Sequence, residues 1–255
     1  MAELGLVINP EQLPTDIDLD FLEPVLMGRF VGSDDEGPRV LPDPLSGLPD
    51  RPIRGGAVLF PGTMRLADPD FDLSLVEQHL TTVGQALGAY AEPGRWVVLG
   101  SGASRRIPDE VDRQAGLARL AEVVGLADRV LSEAGLEVML EPLRAQESNV
   151  FNDLAEGARF LDDHGLDLRM VCDTFHMFSQ DLTADFAVAH LDRIGHVHLS
   201  GHDRLPVSQD ADAVLDVAVA LAEAGYQGRW SFECRWPDAA RDVADSIRVT
   251  RERLQ

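Results

Sequence analysis

From residue 94 onward, short apolar runs alternate with longer amphipathic stretches. "RWVVLGSG" (95–102) is short, β-rich and stopped by glycines, which predicts a buried strand of a parallel sheet. "VDRQAGLARLAEVVGLADRVLSEAG" (111–135) has helical spacing and closes on Gly135. The same alternation predicts strand 136–143 with helix 149–165, strand 168–175 with helix 183–193, strand 194–201 with helix 210–225, and strand 228–234 with helix 238–254. Such repetition implies right-handed βαβ units and a parallel sheet. Upstream, 4–9, 17–24 and 55–62 read as strands and 74–91 as a helix, bringing the strands to eight. The stretch between the first two strands is too short for an ordinary crossover helix, and residues 33–54, rich in Pro, Gly and Asp, read as an irregular loop. The expectation is an α/β fold: a (β/α)8 barrel forming one domain over residues 1–255, with a modified first barrel quarter and no dividing linker.

Composition narrows the chemistry. A chain of 255 residues buries about three quarters of its unfolded surface, so it needs no disulfide or metal in order to fold. Its two cysteines, Cys172 and Cys234, suggest no disulfide framework and make a reducing cytosol the expected compartment. Both are expected to be small buried hydrophobes facing the helices. "MAELGLVINPEQ" has no basic segment followed by a long apolar one, so no signal peptide is expected. No apolar run approaches the length of a transmembrane helix. The formal charge of −22 repels phosphate backbones and anionic membranes, which argues against nucleic acid and membrane partners. All 22 basic residues are arginine. Without lysine, Schiff-base chemistry in this chain is excluded, and so is the usual phosphate loop. Carbonyl chemistry would need another way to polarise oxygen, and a divalent metal is the obvious one.

Four polar residues then stand out by position. Glu141 ends "VMLE", Asp173 ends "MVCD", His198 ends "HVH" and Glu233 ends "WSFE". They fall on four consecutive strands at their C-terminal ends, which converge on one mouth in a parallel barrel. Alternation puts Met139 with Glu141, Val171 with Asp173, and Ser231 with Glu233 on the inward faces. Three carboxylates and an imidazole form an oxygen and nitrogen donor set, suited to Mn²⁺ or Mg²⁺ rather than to a structural zinc site. Without a cation the three carboxylates would repel one another. Each residue taken singly could equally cap its strand.

Around them, Glu147, His176 and Arg204 follow the same strands on loops where substrate contacts belong. His196 shares a face with His198 one layer deeper and reads as a hydrogen-bonded core residue. His202 reads as a surface loop residue, and His79, His164 and His190 as surface positions. "GSGASRR" (100–106) could line a sugar or phosphate pocket, or form a tight turn with exposed arginines.

"EPLRAQESN", "CDTFHM", "HVHLSGHDR", "GYQGRWSFE" and "VVLGSGASRRIP" together resemble the sugar phosphate isomerase/epimerase group of xylose isomerase-like TIM barrels, whose ketose 3-epimerases are the best understood members. The likeness covers residues 95–235 well and the N-terminal third poorly. It implies that Glu141, Asp173, His198 and Glu233 bind one divalent ion, with Mn²⁺ first and Mg²⁺, Co²⁺ or Zn²⁺ behind it. It implies that Glu141 and Glu233 are the catalytic acid and base, and that Glu147, His176 and Arg204 bind the substrate. The implied reaction is proton transfer next to a sugar carbonyl through an enediolate, giving epimerisation or isomerisation. Such relatives carry a Pro-Gly-x-Gly turn after the arginine, whereas "RLPVSQD" keeps Pro206 and loses both glycines. That change and the modified first quarter both fall at the substrate end. Dehydration of a keto-inositol or keto acid on the same scaffold, or a sugar-binding barrel without turnover, are the alternatives. An endonuclease IV-like reading conflicts with the charge and with the further His and Asp ligands that it requires. The expected partner is a small sugar; a homo-oligomer stays open.

Overall fold

The computed structural model describes residues 2–8, 17–34, 37–90 and 94–255. Strands β1 (Leu4–Ile8) and β2 (Phe21–Pro24), a hairpin of β3 (Val31–Asp34) and β4 (Gly37–Val40), and β5 (Gly55–Gly56) precede every helix among these residues. Then come α1 (Leu73–Gly88), β6 (Arg95–Leu99), α2 (Gly102–Arg105), α3 (Arg113–Glu133), β7 (Leu136–Leu140), α4 (Leu154–Asp163), β8 (Arg169–Asp173), α5 (Thr174–Phe178) and α6 (Ala184–Val188). β9 (Ile194–Leu199), α7 (Ala211–Glu223), β10 (Trp230–Phe232) and α8 (Ala239–Arg253) complete the chain.

Eight parallel strands lie in the order β2-β1-β10-β9-β8-β7-β6-β5. The two ends of this order meet through parallel bridges, Leu22 with Ile53 and Val25 with Ala57. The Ala57 N–H donates to Pro24 O at 3.0 Å and the Leu26 N–H to Ala57 O at 2.9 Å, so backbone bonds join the two ends. The expected TIM barrel is the observed fold. The helices are set by local chemistry: Asp112 caps α3 by accepting from the Gln114 and Ala115 N–H groups, and Gly135 (φ +75) takes the left-handed turn after it. Among the described residues no helix is long and apolar enough to cross a membrane.

The core has two parts. A large one lies between sheet and helices. A small one fills the barrel itself: Phe21, Trp96, Val98, Met139 and Val171. Trp96 fits because β5 has no side chain opposite it. A Cβ at Gly55 would sit 2.5 Å from the indole, closer than atoms can approach. From Val171 in this layer, paired with His196, the ladder rises to Asp173, paired with His198, bringing the polar strand ends to one level.

Several boundaries differ from expectation. The 33–54 loop contains most of an antiparallel hairpin, packed against α1. The 55–62 strand is regular only at Gly55 and Gly56, followed by the single bridge of Ala57, because Val58 turns the chain at φ +58. The 17–24 strand starts at Phe21, and the 149–165 helix starts at Leu154, where Asp153 caps it. The 168–175 strand stops at Asp173, whose side chain starts α5. Asn9 and Ala91, the expected ends of a strand and a helix, and residues 35–36 of the expected loop lie outside the described residues. His79, expected at the surface, is buried. It lies with Val76, Leu80 and Val83 on the inward stripe of α1, and its Nε2 meets Leu59 O at 2.7 Å.

Candidate active site

The chain "VCDTFHM" (171–177) gives both a cap and a charge. Asp173 Oδ1 accepts from the Phe175 N–H at 2.8 Å and the His176 N–H at 3.4 Å, opening α5. Oδ2 accepts from Arg204 Nη1 at 2.8 Å. One carboxylate therefore starts a helix and faces the barrel mouth.

Glu141, Asp173, His198 and Glu233 converge there, each offering a ligand atom within 4.8 Å of the others. The Glu141 N–H donates to Leu99 O at 3.1 Å and the Glu233 N–H to Leu199 O at 3.0 Å, so each glutamate continues the ladder of its neighbouring strand. His198 Nδ1 lies 3.0 Å from Glu233 Oε2, 3.2 Å from Glu141 Oε1 and 3.9 Å from Asp173 Oδ2. Gly100 leaves the space for Glu141, since a Cβ there would fall 2.2 Å from Oε2.

Burial and charge pull these groups apart. Burial raises the Asp173 carboxyl; Arg204 and His176 oppose this, and Glu233 and Glu141 reinforce it. For Glu233 burial also acts upward, but Arg204 and His198 win and hold it well below the usual range. Burial works against the His198 imidazolium, yet Glu23 and Glu233 raise its pKa well above the ordinary value. A cluster of buried carboxylates with one imidazole facing inward is the donor chemistry of a divalent cation, so the residues fit such an ion.

Arg204 belongs to the cluster. Its Nη1 bridges Asp173 Oδ2 and Glu233 Oε2, both at 2.8 Å, and Nη2 lies 3.2 Å from His176 Nε2. Asp203 and Arg204 hold φ of +56 and +61, a left-handed pair costing on the order of 1–3 kcal/mol per residue. The two ion pairs of Arg204 offset this. The Arg144 N–H donates to His176 Nδ1 at 3.2 Å, which fixes that ring. Glu147 is one step removed: its carboxylate accepts from Arg144 Nε at 2.7 Å. The Arg144 and Arg204 guanidinium groups both lie over the Phe175 ring, at 4.6 and 4.5 Å. His202 is exposed, against Asp210 and stacked on Phe178.

The sequence reading missed three contributors. Glu23 is fully buried beneath His198; its signal was its alternation with Phe21 along "FLEP". The two arginines of "GSGASRR" part company, Arg106 being exposed and Arg105 fully buried. Arg105 Nη1 donates to Glu141 O at 2.6 Å and Leu99 O at 3.3 Å, and burial lowers its pKa to about 10. Nothing in one dimension signals that contact. Arg144, between the expected residues Glu141 and Glu147, supports both His176 and Glu147. His196 is the expected core residue, bonded to Glu23 and Ser231 at 3.0 Å each, and both cysteines are buried and free.

A family model described as the xylose isomerase-like TIM barrel matches residues 58–253. An L-ribulose 3-epimerase of Mesorhizobium japonicum is 33% identical over 124 residues, 47% of this chain and 38% of the relative. A D-psicose 3-epimerase of Enterocloster bolteae is 27% identical over 119 residues, 46% of this chain and 40% of the relative. The matches thus span less than half the length of these curated relatives. The crystal structure of a D-allulose 3-epimerase from Methylomonas sp. in complex with D-allulose superposes with a TM-score of 0.77 at 16% identity, covering 99% of this chain and 97% of that one. At that identity the superposition speaks for the fold alone.

Proposed function

Because the chain belongs to the xylose isomerase-like TIM barrel family, we propose that it is a divalent-metal-dependent epimerase or isomerase of a keto sugar. It moves a proton next to a carbonyl through an enediolate. The observation that carries this reading is the convergence of Glu141, Asp173, His198 and Glu233 at one barrel mouth, with ligand atoms within 4.8 Å of one another. The ketose 3-epimerases among the relatives support a sugar substrate and favour epimerisation.

These four residues would hold one ion, Mn²⁺ first, which when bound supplies Lewis-acid polarisation of the substrate carbonyl. Glu141 and Glu233 form the acid–base pair. Their strands, β7 and β10, are separated by β8 and β9 around the barrel, so the two carboxylates approach a bound sugar from different sides. One removes the carbon-bound proton and the other returns a proton. Return to the opposite face of the same carbon gives the epimer; return to the neighbouring carbon gives the isomer. His176 and Arg204 hold substrate oxygens through ring and guanidinium N–H groups, and Glu147 assists from beside Arg144. Residues 1–255 act as one catalytic domain, and the two free buried cysteines support a cytoplasmic setting.

The test is deuterium uptake at carbon. Ketoses, ketose phosphates and keto-inositols are incubated in deuterated water with and without Mn²⁺ and followed by mass spectrometry. Uptake that needs metal, Glu141 and Glu233 is expected for at least one substrate. Exchange by Glu141→Gln and Glu233→Gln proteins at the wild-type rate would refute the acid–base assignment. Metal analysis adds a second arm: wild type should carry one ion per chain and Asp173→Ala none, and equal content in the two would refute the ligand set.

A further inference from the structure

Glu23 lies in the barrel interior, one layer below the strand-end cluster, and is wholly buried. Its two oxygens collect four partners from three strands. Oε1 accepts from Trp96 Nε1 at 3.0 Å and meets His198 Nε2 at 3.3 Å. Oε2 accepts from Ser231 Oγ at 2.6 Å and meets His196 Nε2 at 3.0 Å. A buried carboxylate without such partners carries a heavy desolvation penalty, so the network is what allows a charge at this depth.

His198 connects this network to the mouth. Its Nε2 faces Glu23, while its Nδ1 faces Glu233, Glu141 and Asp173. An imidazole nitrogen can hold a cation only through its lone pair, so the ring proton must sit on the other nitrogen. Trp96 and His196 lie with ring centroids 4.4 Å apart, and His196 meets His198 edge-on at 89°, which locks the ring planes.

We propose that Glu23 is a positioning residue: it accepts the Nε2–H of His198, fixes that tautomer and ring plane, and so presents Nδ1 as the lone-pair donor to a divalent cation held by Glu141, Asp173 and Glu233. This rests on the metal reading above. Glu23, His196 and His198 are also close enough to hold an ion by themselves. However, Trp96 and Ser231 already donate to both Glu23 oxygens, and neither is a cation ligand in that role. The geometry therefore favours an anchored carboxylate–imidazole pair.

The test compares wild type with Glu23→Gln, which keeps the shape and removes the charge, and with Trp96→Phe, which removes a different donor from the same oxygen. Metal affinity is measured by competition with a chromophoric chelator for Mn²⁺ and Zn²⁺. The His198 ring is read by long-range nitrogen–proton correlation in apo and Zn²⁺-loaded protein. Glu23→Gln is expected to weaken the metal by about 10–100-fold and to lose the slowly exchanging Nε2–H signal. Trp96→Phe should keep the Nε2–H signal and weaken the metal far less than Glu23→Gln does, whatever it does to melting. Wild-type affinity in Glu23→Gln overturns the proposal. So does a wild type with two ions per chain, one of which Glu23→Gln loses, since Glu23 would then be a ligand. A wild type that binds no divalent ion defeats the metal reading instead. The Glu23–His198 anchor then stands if apo wild type shows a protected Nε2–H that Glu23→Gln lacks, and falls if the two spectra agree.

Discussion

The arc from β6 to β10 and the arc of β1, β2 and β5 close the same barrel by different means. In the first, helices return the chain after successive strands, and Glu141, Asp173, His198 and Glu233 all rise from its strand ends. In the second, among the described residues, a hairpin stands where a crossover helix would, and the arc meets itself through the Leu22–Ile53 and Val25–Ala57 bridges. It supplies no residue of the four-membered donor set but gives the interior two supports: the bare backbone of Gly55 opposite Trp96, and the carboxylate of Glu23 under His198. Regular βα repetition fixes strand ends in register and so can build a site on several elements at once. An arc closed by backbone bonds rather than by crossover helices can support that site from below.

If the division holds, substitutions in the regular arc should strike turnover and those in the N-terminal arc, Glu23 aside, should strike stability. The largest effect is expected from Glu141→Gln or Glu233→Gln, with proton exchange slowed by about 10²–10⁴-fold and little change in melting temperature. Gly100→Ala comes next: the added methyl pushes Glu141 Oε2 aside, and a misplacement of that size costs about 10²-fold in turnover. A circular dichroism melt close to wild type would separate displacement from unfolding. Arg204→Ala and His176→Ala should raise the Michaelis constant by about 10-fold or more, as loss of a charged hydrogen bond does, with a smaller change in kcat. A pure kcat effect would move them from holding substrate to the chemistry.

Gly55→Ala crosses to the other arc. Crowding the Trp96 indole should cost about 1–3 kcal/mol in urea unfolding, while the remaining folded protein exchanges protons nearly as wild type. If this variant is stable and inactive, the division between arcs is wrong. The smallest expected effect is pH-dependent and concerns His79, which joins α1 to the N-terminal arc at Leu59. Burial lowers its pKa, partly opposed by the Leu59 carbonyl. The unfolded chain therefore binds the proton first as pH falls, and stability is lost from the unfolded value of about 6.5 downward. Urea unfolding at neutral and mildly acidic pH should show a steeper loss for wild type than for His79→Gln.

Much of this molecule is written in the sequence. Alternating runs determine the βα repeats. Period-two alternation at "VMLE", "MVCD", "HVH" and "WSFE" determines which polar residues turn inward, because strand pleating is local. The absence of lysine bounds the chemistry by composition alone. Tertiary structure alone decided the rest. It paired β2 with the 53–57 segment, brought Arg105 from α2 under the Glu141 carbonyl, and joined Glu23 to histidines more than 170 positions away. Closure of a sheet and pairing of buried charges depend on which distant groups share a level of the barrel. Propensity and spacing act only over neighbouring residues and carry no record of that level.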